Sequence, residues 1–184
     1  MAVLDFLHRC HRVQVIHVNH GTSHATEAEQ FVTAYCAQLN IPLQVHTISL
    51  TKPSHESWEE FWRNQRYHVF HSLGAPVVTA HHLDDCVETY LFNCVHGKQH
   101  TMPVRNQNVV RPFLCTPKSA FVSWCDRKAV PYVTDPSNSD ERYMRNLIRN
   151  QIVPAALRVN PGLRKVVRRM VMRDLDTVET QDDL

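Results

Sequence analysis

Glycine is scarce in this chain. There are four in 184 residues, Gly21, Gly74, Gly97 and Gly162, and none lies near another. A triphosphate is usually cradled by successive backbone N–H groups in a glycine-rich turn, and this chain has no such turn. The six cysteines (Cys10, Cys36, Cys86, Cys94, Cys115 and Cys125) include no C-x-x-C pair. That argues against a thiolate-held zinc or iron–sulfur site and for reduced thiols in a cytoplasmic protein. No apolar run reaches membrane-spanning length, so neither a membrane span nor a membrane partner is expected. The opening stretch Met1-Ala2-Val3-Leu4-Asp5-Phe6-Leu7 lacks a basic start and carries an acid among its apolar residues. It reads as a buried helix turn, not a signal peptide.

Acid is missing where base is abundant. Residues 142–173 hold nine basic side chains (Arg142, Arg145, Arg149, Arg158, Arg164, Lys165, Arg168, Arg169 and Arg173) and no Asp or Glu. The tail 174–184 reverses this, with five acids and no Lys or Arg, so the net charge of +2 conceals a strong asymmetry. A clean basic block suggests phosphate, and nucleic acid before membrane. The competing interpretation is an ordinary solvated helix face.

Hydrophobic period gives the organisation. Val13, Val15, Ile16 and Val18 make a strand over 12–18, and 42–48 a second. A turn at Gly21-Thr22-Ser23, with Ser23 as N-cap, precedes a helix over 25–39 whose apolar face is Phe31, Ala34, Tyr35 and Leu39. A second helix spans 54–73 and a third strand 75–80. A helix from Asp84 ends near Gly97, then a loop runs over 98–108 to a short strand at Val109-Val110. Residues 118–128 are helical, 131–134 a short strand, and Asp135-Pro136-Ser137-Asn138 a tight turn. Two helices close the chain, over 142–157 and 162–174. In the second, Leu163, Val166, Val167, Met170 and Val171 form one stripe with basic residues between them. Strands alternating with helices predict an α/β fold, a Rossmann-like doubly wound parallel sheet with a C-terminal helical extension. The division expected is 1–158 as one nucleotide-binding domain and 159–184 as a basic linker helix with an acidic tail.

The stretch most able to carry chemistry is Ala80-His81-His82-Leu83-Asp84-Asp85-Cys86-Val87-Glu88-Thr89. It follows the apolar Pro76-Val77-Val78-Thr79, so it runs from strand into helix, where open α/β sheets bind ligands. With the helix starting near Leu83, Asp85 and Glu88 share a face, and His81 sits outside its positive end. Such a trio can hold a magnesium nucleotide, orient an amine nucleophile or move a proton. Asp85-x-x-Glu88 is equally a capping-box pattern that does no more than start a helix.

Several segments, in order, resemble the tRNA(Ile)-lysidine synthases of the PP-loop ATP pyrophosphatase superfamily. His17-Val18-Asn19-His20-Gly21 looks like that family's second-strand ending, and Glu59-x-x-x-Arg63-x-x-Arg66-Tyr67 like its helix with paired arginines. The run 80–89 matches its A-x-H-x-D-D-x-x-E-T element. Arg111-Pro112-Phe113-Leu114 with Lys118 resembles its R-P-L-L segment. Asp135-Pro136-Ser137-Asn138, then Arg145-Asn146, Arg149 and Pro154, resemble its D-x-S-N and R-N-x-x-R stretch. Together they cover roughly residues 1–172.

The resemblance implies an ATP- and Mg2+-dependent ligase. In that family ATP adenylates the C2 oxygen of the wobble cytidine of tRNA(Ile), releasing pyrophosphate, and the side-chain amine of L-lysine then displaces AMP. It implies catalytic roles for His81, Asp85, Glu88 and Arg145, and ATP contacts for His17, Val18 and Arg66. It implies tRNA contacts for Arg63, Arg111, Arg149, Arg164 and Arg168, no resident transition metal, and room for a homodimer.

The family's S-G-G-x-D-S loop would fall just before Met1, so the first strand is expected upstream and the chain as written is expected to be inactive alone. Cys86 stands where glutamine is common, and the chain as written is expected to lack the C-terminal domains of long members.

Two other functions compete. His81, His82, Asp84 and Asp85 with His17 and His20 would make the metal cluster of a phosphohydrolase. The basic segment alone would serve a non-catalytic tRNA-binding remnant. A tRNA thiolase is disfavoured by the missing C-x-x-C pair.

Overall fold

The computed structural model describes residues 1–22, 25–133 and 143–182, with side chains of the last helix to Leu175. The expected cap at Ser23, the turn at 135–138 and the helix start at Arg142 lie outside the described residues. The fold is α/β, and its chain separates into two compact units, 1–74 with 129–135 and 75–128 with 136–184.

In the first unit, helix α1 (Ala2–His8) leads to strand β1 (Val15–Asn19), helix α2 (Ala25–Gln38), strand β2 (Leu43–Thr47) and helix α3 (Trp58–Ser72). The two strands pair in parallel, Val15 opposite Leu43 through Asn19 opposite Thr47. A parallel pair needs a crossover, and α2 supplies it. Tyr35 and Cys36 are the buried residues of α2, whereas Ala34, expected on its apolar face, is exposed. The α3 helix starts at an N-cap Ser57 whose hydroxyl accepts from the Glu60 N–H at 3.1 Å, three residues later than the pattern suggested.

The second unit runs β3 (Val77–Val78), α4 (Leu83–Val95), β4 (Arg105–Asn106), β5 (Val109–Val110) and α5 (Lys118–Lys128). It ends with α6 (Met144–Leu147), a π-helical turn Ile148–Ile152, α7 (Val153–Val159) and α8 (Leu163–Asp182). The β3 and β5 strands are parallel, while β4 pairs antiparallel with β5 around a turn in which Gln107 takes a φ of 53°. The segment 98–108 is therefore not all loop. Residues 131–133 of the short strand expected over 131–134 form no strand, and Tyr132 and Val133 are exposed there, while Thr134 lies outside the described residues.

The helix expected over 142–157 is interrupted. Pro154 has no N–H to donate, and its ring clashes with the carbonyl one turn back. The π-helical turn Ile148–Ile152 sits just where that clash would fall, with Pro154 at the start of α7. Leu163, Val167 and Val171 of α8 are buried against Leu83, Cys86 and Val87 of α4, with Met102 and Leu114 closing the cluster. Full burial of a valine is worth about 1.5–3 kcal/mol, so α8 holds α4 in place through several such contacts. That positions the N-terminal turn of α4, where the acids are.

Candidate functional site

The α4 helix begins with a capping box, though not the one the spacing suggested. His82 is the N-cap, its Nδ1 accepting from the Asp85 N–H at 3.2 Å while its own N–H donates to Asp85 Oδ2 at 2.9 Å. The pattern is thus His82-x-x-Asp85, and Glu88 takes no part in it. The His82–Asp85 interval at a strand-to-helix junction was the signal that could have found it. Histidine is an uncommon N-cap, which is why the interval did not stand out.

Both acids are buried and both are met by arginines from the far side of the chain. Arg145 donates from Nη2 to Asp85 Oδ1 at 2.9 Å and from Nε to Glu88 Oε2 at 3.0 Å. Arg149 grips Glu88 with two bonds, Nε to Oε1 at 2.7 Å and Nη2 to Oε2 at 3.0 Å, and lies 3.8 Å from Asp85 Oδ1. The hydrogen bond to Glu88 raises the Arg149 guanidinium above its ordinary value, against the opposing effect of burial. Arg145 and Arg149 are four apart, Asp85 and Glu88 three, so each pair occupies one helix face and the two faces meet. The π-helical turn begins between the arginines, and such turns often mark functional sites.

The neighbouring Asp84 points elsewhere. Burial pushes its carboxyl up, but the Lys118 N–H (2.9 Å) and the Arg164 guanidinium (3.0 Å) more than offset this and leave it below the usual carboxylate range. Asp84 therefore ties the starts of α4, α5 and α8 together, a role that sequence spacing did not reveal. His81 lies between β3 and α4, half-buried, with Nδ1 2.8 Å from the Thr79 hydroxyl.

The residues expected to contact RNA separate into distinct groups. Arg168 is exposed on α8 beside Lys165, Arg169 and Arg173. Arg63 is exposed and lies over the Tyr67 ring at 4.7 Å. Arg164 and Arg149 are engaged with Asp84 and Glu88 as described. Arg111 is a correction: it is 1% exposed and donates to the Pro103 carbonyl at 2.6 Å. A guanidinium held inside has no surface to offer a phosphate, and the Arg111-Pro112 pattern gave no sign of that burial.

In the first unit, His17 and Asn19 point to one face of β1, where Asn19 Nδ2 donates to Glu29 at 2.6 Å and Asn19 Oδ1 accepts from the Gly21 N–H. Gly21 takes a φ of +71°, a conformation that side chains resist. Val18 is half-buried and pairs in register with His46. Among the described residues, His17 Nε2 and His20 Nδ1 are buried without a hydrogen-bond partner. Burial holds both imidazoles below their ordinary value, His20 down to about 4, helped by the positive charge of Arg66. His20 also packs on Trp62 at 5.6 Å.

Among the described residues no three His, Cys, Asp or Glu side chains converge as metal ligands. The cluster imagined for a phosphohydrolase is therefore not assembled. Nor do Asp85 and Glu88 suit Mg2+ as arranged, because the guanidinia of Arg145 and Arg149 already offset both negative charges and stand where the cation would have to sit. A hard cation needs carboxylate oxygens of its own.

Comparison with known proteins adds the following. The PP-loop domain family (ATP_bind_3) matches residues 1–156. The tRNA(Ile)-lysidine synthase of Nitrosomonas europaea is 30% identical over 185 residues, covering 94% of this chain and 40% of that protein. The tRNA(Ile)-lysidine synthase of Thermotoga sp. (strain RQ2) is 31% identical over 176 residues, covering 87% of this chain and 42% of its own length. The chain thus spans about 40% of the length of these relatives. Among solved structures, the U34-tRNA thiolase NcsA from Methanococcus maripaludis with its [4Fe-4S] cluster superposes with a TM-score of 0.66 at 13% identity, over 88% of this chain and 61% of that one. At that identity the likeness concerns the fold alone.

Proposed function

The chain belongs to the PP-loop domain family, and from that premise we propose that it carries the lysine-ligating centre of a tRNA(Ile)-lysidine synthase. In the reaction proposed, the C2 oxygen of the wobble cytidine attacks the α-phosphate of ATP and pyrophosphate leaves. The lysine side-chain amine then attacks C2, the C–O bond to AMP breaks, and the amine gives up a proton. The observation that carries this is the buried pair Asp85 and Glu88 at the start of α4, facing Arg145. Two carboxylates provide the right charge to hold an ammonium and receive its proton, and a guanidinium the right fork to hold an oxyanion. His81, at the end of β3, would order the nucleotide or the cytidine beside them.

ATP would be held by His17, Val18 and Arg66. The support for this is a pair of buried imidazole nitrogens, on His17 and His20, with no partner among the described residues, which is where a ligand's polar edge would restore a bond. The exposed cations Arg63 and, on α8, Arg168 would contact tRNA phosphates. Mg2+, if it accompanies ATP, would be held by the phosphates, since Asp85 and Glu88 do not fit it.

Equilibrium dialysis of labelled lysine tests the proposal, with ATP and a tRNA(Ile) transcript present. Retention by the wild-type protein and loss in Asp85→Asn and Glu88→Gln, at unchanged circular dichroism, is the expected result. Filter retention of tRNA with no retained lysine would favour the non-catalytic RNA-binding alternative, for which the exposed basic face of α8 is the supporting observation.

A further inference from the structure

Among the described residues, Asp85 and Glu88 face the guanidinia of Arg145 and Arg149, two negative charges against two positive, and each carboxylate oxygen accepts at least one hydrogen bond. A lone ammonium would have to share oxygens that the two guanidinia already hold, and forcing it in would leave excess positive charge where the acids are only 11% and 6% exposed. A lone phosphate that took a guanidinium would leave a buried carboxylate short of a donor, which is costly in the opposite sense. Entering together they balance. The ammonium replaces the guanidinium on the carboxylates, and the guanidinium follows the phosphate.

The two arginines are not equivalent in this exchange. Arg149 holds one carboxylate with a two-bond fork, the strongest geometry available to the pair. Arg145 spreads single bonds over two carboxylates and is the more exposed, 39% against 30%.

Resting on the lysine-ligating proposal above, we infer that Arg145 is an exchangeable stopper on the amine site. Lysine binds Asp85 and Glu88 only once a phosphate oxyanion has drawn Arg145 away, while Arg149 stays as the positioning residue of Glu88. The site then refuses the amine until the phosphate-bearing substrate has arrived. The oxyanion is one chemistry with two sources, the nucleotide or the RNA.

The experiment measures lysine affinity of the full chain by calorimetry in three arms: no anion, ATP, and tRNA. Norleucine serves as the uncharged control. Lysine is expected to bind at least about tenfold tighter in the ATP or the tRNA arm, and that anion to bind tighter with lysine by the same factor, because coupling is reciprocal. Whichever arm tightens identifies the source. Arg145→Met should bind lysine without any anion, a gain that mere loss of structure does not produce. Arg149→Lys should keep more of the anion-dependent affinity than Arg149→Met. Equal lysine affinity in all three arms would overturn the exchange and leave the lysine-ligating proposal standing. Absence of lysine binding in every arm, in wild type and Arg145→Met alike, would remove both.

Discussion

Arg149 and Glu88 lie 61 residues apart in the chain and are joined by two hydrogen bonds of 2.7 and 3.0 Å. The pair joins the π-helical turn to the first turns of α4, and Arg145 adds a second link to the same helix face.

That link carries stability as well as chemistry. Glu88→Gln takes from Arg149 its two-bond ionic partner and leaves only the more distant Asp85 carboxylate at 3.8 Å, and Arg149→Met leaves Glu88 buried without its fork. Each single change is expected to cost about 2–4 kcal/mol, somewhat less than the roughly 3–5 kcal/mol for breaking a fully buried pair, because Arg149 is part-exposed. The double variant should cost less than the two summed, with a coupling of about 1–3 kcal/mol. Urea unfolding of the four proteins measures it. Additive losses would show that the fork contributes nothing beyond its packing.

Much of this centre is legible in the sequence alone. The acids Asp85 and Glu88 are read from their i, i+3 spacing at a strand-to-helix junction, and Arg145 and Arg149 from the basic block and the R-N-x-x-R resemblance. Their closure on one another was not legible, because contact across about sixty residues leaves no local period. Local pattern was also reliable for α5, which spans the expected 118–128, and for the stripe of α8, where Leu163, Val167 and Val171 are buried. It was poor where a strand is two residues long, as in β4, or where a proline converts one turn of helix into a π turn. Arg111 shows the third kind of miss. Its charge argued for a surface, yet its surroundings bury it, and burial is decided by tertiary packing that a lone Arg-Pro dipeptide does not encode.

Cysteine chemistry follows from depth. Cys86 has no exposed surface, and burial first, then the negative charge of Asp85, pushes its thiol up to about 12. A thiol reacts as its thiolate, so Cys86 should stay unmodified at neutral pH although it adjoins Asp85. Cys10 and Cys94 are exposed and should react first with iodoacetamide in the folded protein, Cys36 and Cys86 only after denaturation. Mass spectrometry of tryptic peptides reads the order. Early alkylation of Cys86 would mean that the α4–α8 packing opens readily.

His20 gives stability a pH dependence. Its imidazole titrates near 4 when folded, from 6.5 as a free side chain, because burial and then Arg66 disfavour the cation. Between those values the unfolded chain binds a proton that the folded one refuses, so stability is present above about pH 6.5 and drains away as pH falls toward 4. Allowing for screening at a partly exposed ring, the loss is about 1–2 kcal/mol. His20→Asn cannot be protonated there and should flatten the stability profile across pH 4–6.5. An unchanged slope would place the titration elsewhere.

The basic face of α8 supplies the last expectation. Its apolar stripe is buried and Arg164 is occupied by Asp84, so the cations turned outward are Lys165, Arg168, Arg169 and Arg173. Cations that meet phosphates release counterions, so affinity for tRNA should fall steeply with salt. Reversing Lys165, Arg168 and Arg169 to glutamate leaves Arg164, the apolar stripe and the acid–arginine set intact. If these residues lie against RNA, the plot of log affinity against log salt should lose roughly two units of slope, at about 0.7–0.9 per phosphate contact. Lysine retention is a separate readout: in the ATP arm alone it should be unchanged, since none of the three touches Asp85 or Glu88. A variant whose tRNA affinity and salt slope both match wild type would make this face a solvated surface and leave tRNA recognition to other residues.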